Sequence, residues 1–346
     1  MMTRRQRAGP DPDDQIPMVK RAKPAAKGSS AASKSPRAAA AELRTLLDFV
    51  RYGVSRFVEA KLVFAHGTTD PVAEAAFLVC ATLHLDPDQF ETFATARVTA
   101  REAGQILDMI ARRIATRKPA AYLVNKIYMR GLPFYVDERT IVPRSFIGEL
   151  LDSHFGGARD EEGGSLIDDP LAVEDVLDLC TGSGCLAILA AHAFPNAEID
   201  AIDISKGALE VARRNVGDFG LDDRIMLHRG DLYAPVAGNR YDLIIANPPY
   251  VDAQGMAGLP PECRAEPKIA FDGGADGLVV VRRILDEAKK HLTAKGGLLC
   301  EIGRCRETLE MAYPHAEFLW LDTEDSEGEV FWITASDLAN LHTRDN

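Results

Sequence analysis

This 346-residue sequence is poor in the features that announce metal sites, membranes and secretion. It has six cysteines, and its closest pairs, Cys180/Cys185 and Cys300/Cys305, each enclose four residues. Neither is the two-residue knuckle of a structural zinc site and no histidine cluster follows, so no metal is expected. Free thiols in a reducing compartment fit better. No apolar run approaches the roughly 20 residues needed to cross a bilayer. Met1–Pro10 is basic, yet no apolar stretch follows it, which is not the pattern of a secretory signal. A cytoplasmic protein is expected. Two phosphate-binding signatures are also missing: no Gly-Lys-Ser/Thr closes a P-loop, and Ala187 leaves G-x-G-x-x-G incomplete after Gly182 and Gly184.

Positive charge is scarce and unevenly placed. The whole chain carries -12, but residues 1–40 hold nine Lys or Arg against three Asp. From Ala41 onward 31 basic side chains face 49 acidic ones, a balance of -18. Such a body is a poor general grip for nucleic acid. Apolar residues at 46% and charged residues at 27% are the balance of a globular protein.

The first 40 residues contain five prolines and nine alanines, too little apolar surface to offset the entropy of ordering them, and read as a disordered basic tail. From Ala41 the period changes. Leu43, Leu46, Leu47, Val50, Val54, Phe57 and Val58 recur at three- and four-residue steps, an amphipathic helix. Asp70-Pro71 opens a second helix, and a third runs from about Thr99 through Ile106, Ile110 and Ile114. Residues 41–120 thus form a helical domain. Lys126–Met129 and Pro133–Val136 flank Arg130-Gly131 as a β-hairpin, so 121–150 is a linker. Residues 156–170, rich in Gly and Asp, read as an exposed loop.

In the segment 151–340 the rhythm becomes strand, helix, strand. Val176–Leu179, Ile199–Asp203, Ile225–Leu227, Leu243–Ala246 and Gly297–Glu301 are the strands, and a terminal pair over Glu317–Leu321 and Val330–Thr334 has no helix between its members. One of that pair must run antiparallel. The fold class is α/β, a doubly wound, mostly parallel sheet covered on both faces.

In such a sheet the ligand crevice opens at the carboxyl ends of the strands. Asp178-Leu179-Cys180-Thr181-Gly182-Ser183-Gly184-Cys185 lies there, with two glycines that let backbone approach a ligand. Asp203 ends the second strand, where a carboxylate can accept two ribose hydroxyls. Asp231, past the third, could accept from an adenine amino group, and Asp178 could attract an α-ammonium. A ligand with these three parts is S-adenosylmethionine.

Asn247-Pro248-Pro249-Tyr250 follows the fourth strand directly. The Asn247 oxygen and the Pro248 carbonyl can each accept one N–H of an NH2 group, and the Tyr250 ring can lie on its flat face. The loop selects a planar NH2 group: an amide, adenine or cytosine.

These motifs resemble the S-adenosylmethionine-dependent protein glutamine methyltransferases. Glu266-Pro267, Ala270–Leu278 and Glu301-Ile302-Gly303 are similar to segments of that family, and Val142–Leu150 resembles the branch acting on the third protein of the large ribosomal subunit, uL3. The resemblance implies a class I, Rossmann-like, seven-stranded sheet and N5-methylation of one glutamine, with S-adenosylhomocysteine as product. It implies that Asn247, Pro248, Pro249 and Tyr250 hold the amide, and that Asp178, Thr181, Gly182, Gly184, Asp203, Asp231 and Asn247 hold the cofactor. Arg144 and Glu149 would line or brace the cleft. Release-factor methylation is the nearest rival, then adenine methylation of nucleic acid, then a non-catalytic binding module.

Overall fold

The computed structural model describes residues 42–68, 70–155 and 166–341. The basic tail and most of the Gly/Asp-rich loop lie outside the described residues.

The three longest helices of the first region are α1 (Leu46–Glu59), α2 (Pro71–Thr82) and α3 (Ala100–Thr116). Their starts follow from side chains that satisfy the free amides of a first turn. Thr45 and Asp48 form a capping box on α1, Thr99 and Glu102 do so on α3, and Asp70 accepts from the Val72 and Ala73 amides with Pro71 beside it. Phe49, Phe57, Leu78, Ile106 and Ile110 from the three helices meet in one buried core. Among them lies a fully buried ion pair, Glu74 with Arg113 at 2.7 Å. A hairpin follows, β1 (Ile127–Met129) antiparallel to β2 (Leu132–Phe134).

The sheet has strands β3 (Asp175–Leu179), β4 (Glu198–Asp203), β5 (Ile225–Arg229), β6 (Tyr241–Ala246), β7 (Leu292–Glu301), β8 (Leu319–Thr323) and β9 (Ser326–Thr334), in the order β5-β4-β3-β6-β7-β9-β8. The first five are parallel, and β9 is antiparallel to both of its neighbours. Helices α4 (Cys185–Ala193), α5 (Lys206–Asp218) and α6 (Val279–Ala288) connect or cover the strands. Helix α6 ends in a tight turn over Lys289–His291. Leu292 then begins β7, opposite Tyr241.

Side chains alternate across the sheet as the strand period requires. Val176, Leu243, Ile245 and Leu299 join α4 in one core layer, while Leu177, Leu179, Ile244, Leu298 and Cys300 join α6 in the other. Pairing sets Leu179 level with Ile202 on one side and Ala246 on the other. The turns after β3, β4 and β6 therefore emerge together where strand order reverses, the place a crevice forms.

The helical region is tied to this sheet by buried acids. Glu262 accepts from the Val63 amide and pairs with Arg117, and Glu266 pairs with His66. Among the described residues no helix is long and apolar enough to cross a membrane.

Candidate active site

A cavity of about 420 Å³ opens at the reversal point, within the range of pockets that enclose a small ligand. Thr181, Gly182, Asp203, Asp231, Asn247, Pro248, Pro249, Tyr250 and Arg144 all line it.

The glycine turn is held from below. Asp178 is fully buried; its Oδ2 accepts from the Thr181 hydroxyl and, at 3.1 Å, from the Ala187 amide at the start of α4. Burial pushes this carboxyl up to about 7. Asp178 is thus beneath the wall and outside the cavity lining, and its Oδ1 is buried without a hydrogen-bond partner among the described residues. Gly184 also stands behind the wall. It has φ +79°, and a Cβ there would come within 3.2 Å of Ala212 on α5, so its smallness lets two helices approach. Asn215, also on α5, donates to Ser183 O at 2.8 Å and exchanges hydrogen bonds with the Tyr135 backbone, fastening the turn to the hairpin exit.

Asp203 ends β4 with its carboxylate at the cavity. Oδ2 accepts from the Gly182 amide at 2.9 Å and Oδ1 from the Ser205 amide at 2.7 Å. Each oxygen keeps a lone pair for a ribose hydroxyl. Asp231 is half exposed at the rim and is paired with Arg283 at 2.8 Å, a partner the sequence did not suggest. The residues fit S-adenosylmethionine: backbone without Cβ over the crevice, a diol acceptor at Asp203, and a buried unpaired acid oxygen at Asp178 behind the turn.

The Asn247–Tyr250 loop forms the other half. Pro248 is buried, Asn247 is partly exposed to the cavity, and the Asn247 side chain makes no hydrogen bond to the described residues. The segment after the loop clamps it. The Val251 amide donates to Phe271 O and the Gly273 amide to Val251 O, at 2.8 and 2.9 Å. A Cβ on Gly273 would stand 2.8 Å from the Tyr250 Cα, which explains a glycine in the Ala270–Leu278 motif. Burial, then the Glu301 carboxylate, pushes the Tyr250 hydroxyl well above its ordinary range, so it stays a neutral donor.

Arg144 comes from the strap after the hairpin. Its guanidinium donates to both Glu266 oxygens, at 2.9 and 3.1 Å, and stands over the Phe271 ring. Burial alone would raise the Glu266 pKa, but the hydrogen bond from His66 and the Arg144 charge hold it below the usual range. Glu149 is not brought to the cavity. Its Oε1 accepts from the Glu324 amide at 2.9 Å, bracing the β8–β9 turn. Sequence reasoning gave no role to Glu266, Glu301 or Asn215. The first two stood in recognisable motifs, and Asn215 carried no signal at all.

A crevice of this build, ending in a loop that can hold an NH2 group, defines the class: an S-adenosylmethionine-dependent methyltransferase. The family models for the methyltransferase small domain and the PrmC N-terminal domain match residues 161–258 and 58–124. Several relatives carry the name ribosomal protein uL3 glutamine methyltransferase. The one from Bradyrhizobium diazoefficiens is 73% identical over 93% of this chain and 100% of its own length. Those from Burkholderia pseudomallei and Bordetella pertussis are 51% and 48% identical, over 85% and 86% of this chain and 96% and 97% of theirs. The chain belongs to the ribosomal protein uL3 glutamine methyltransferase family.

Proposed function

We propose that this protein methylates the N5 side-chain nitrogen of one glutamine in large-subunit ribosomal protein uL3. The carrying observation is the Asn247 amide, without a hydrogen-bond partner among the described residues, at the wall of the crevice and followed by the rigid Pro248-Pro249 pair. Bound S-adenosylmethionine supplies an electrophilic methyl on sulfonium sulfur. Asn247 Oδ1 and the Pro248 carbonyl each accept one N–H of the glutamine amide, which fixes its nitrogen and favours the positive charge that develops there. Tyr250 packs on the flat amide, and Pro249 keeps the loop extended. The alkylated nitrogen is acidic enough to lose its proton to water, so the chain needs no strong base. Asp203 takes the ribose hydroxyls, Asp231 the adenine edge, and Thr181, Gly182 and Gly184 shape the turn around the amino-acid part. Asp178 holds that turn from behind, and Arg144 forms the wall facing the loop.

The helical domain over 41–120 is the part we assign to substrate recognition, the 121–150 hairpin to linking, and 151–340 to methyl transfer. A basic ribosomal protein suits a body carrying -18, and a reaction on newly made uL3 puts the enzyme in the cytoplasm. The test is incubation with methyl-labelled S-adenosylmethionine and, separately, free uL3, a release factor and adenine-containing DNA, followed by peptide fragmentation. A single methylglutamine in uL3 is expected. Label in the release factor alone would overturn the partner, and label in DNA alone would overturn the protein substrate.

A further inference from the structure

Glu301 ends β7 at 1% exposure, and a carboxylate buried that deeply is costly unless its oxygens are used. The pairing of Ala246 with Cys300 sets the next residues, Asn247 and Glu301, level with each other at the ends of adjacent strands. Oε1 of Glu301 accepts from the Tyr250 hydroxyl at 3.0 Å. Oε2 accepts from the Ser145 hydroxyl at 2.6 Å and from the Phe146 amide at 2.9 Å. One carboxylate therefore joins the Asn247–Tyr250 loop to the Pro143–Phe146 strap across the cavity. The ring is fixed from below as well. Gly303 has φ +51°, and a Cβ there would lie 2.6 Å from Tyr250 Cε2, so the ring rests on bare backbone.

We propose that Glu301 is a positioning residue for methyl transfer: it holds the Tyr250 ring and the 143–146 strap in the relation in which Asn247 and Pro248 receive the amide. This rests on the reading of Asn247–Tyr250 as the amide-holding loop. Three donors converge on Glu301, so its function needs an acceptor on both oxygens. A glutamine offers only one acceptor, so either the Phe146 amide loses its acceptor or the Tyr250 hydroxyl must turn from donor to acceptor, which re-aims the ring.

The experiment compares wild type, Glu301→Gln, Tyr250→Phe and the double variant. Glu301→Gln is expected to lower kcat by about 10- to 100-fold, the scale of an ångström misplacement, with the Kd for S-adenosylmethionine nearly unchanged. The double variant is expected to be no slower than the worse single one, because both changes disturb the same link. A near-normal kcat in Glu301→Gln, or two factors that multiply, would overturn the proposal. An activity-free readout uses protein with ¹³C-labelled tyrosine, the Tyr250 signal being identified by its loss in Tyr250→Phe. Glu301→Gln should shift or broaden that signal and leave the other tyrosines in place; an unchanged Tyr250 signal refutes the link. Should Glu301→Gln not fold, Ser145→Ala carries the test, with a lowered kcat and a displaced Tyr250 signal expected and normal values of both refuting it. Wild type that left uL3 unmethylated would sink the substrate reading, while the tyrosine spectra would still decide the link.

Discussion

An amide oxygen that accepts from the reacting nitrogen binds more tightly as positive charge grows there, so its removal costs the transition state more than the ground state. Replacing Asn247 by Ala is therefore expected to cut kcat by about 10²- to 10³-fold. S-adenosylmethionine binding, measured calorimetrically, should survive. Asp178 makes a different prediction, about stability. Its carboxyl is near the usual carboxylate range when the chain is unfolded and is pushed up to about 7 by burial in the fold. The native state then binds that proton more tightly, so the contribution is present in full below the unfolded pKa and is lost as pH rises through about 7. Thermal unfolding followed from pH 5 to 8 should show a decline that flattens in Asp178→Asn. The sequence located Asp178, Asp203 and Asn247 at strand ends because chemistry there is legible from residue type and position. It did not reveal which way each side chain turned. Asp178 is the penultimate residue of β3 and shares a face with Val176, so it points under the turn toward α4.

At the scale of elements, helices and strands were readable because each carries its period and its own stop signal. Asp70 and Thr99 cap helices where the sequence expects them, and the five parallel strands contain the short apolar runs read there. The contacts between elements were not readable. Glu266 and Glu301 act on residues more than 120 positions away in sequence, and no local pattern encodes such a pairing. Gly303 shows what depends on those contacts. It belongs to the turn after β7, and its missing Cβ seats the Tyr250 ring of the turn after β6. Gly303→Ala would meet both a positive φ and a ring edge at 2.6 Å. A loss of about 1–3 kcal/mol is expected, read by denaturant unfolding. The accompanying fall in kcat should exceed any fall in cofactor affinity, since the cofactor turn after β3 is left intact.

For the whole molecule, charge governs how substrate arrives. The body from Ala41 carries -18, whereas the cavity wall mixes Arg139, Arg144 and Arg283 with Asp203 and Asp231. Attraction for a basic protein must therefore come from the outer surface and act at a distance. Surface charges act across about 30 Å at 0.01 M salt but only about 8 Å at 0.15 M. Raising salt between these limits should lower kcat/KM for free uL3, by about tenfold if steering resembles other charge-driven encounters. A short neutral peptide containing the same glutamine should respond little, because it feels only the cavity. The comparison isolates the long-range field from the local chemistry: both substrates meet the same Asn247, and only one meets the whole surface. If the peptide and the intact protein lost the same factor, recognition would reside in the cavity and the acidic body would have another purpose.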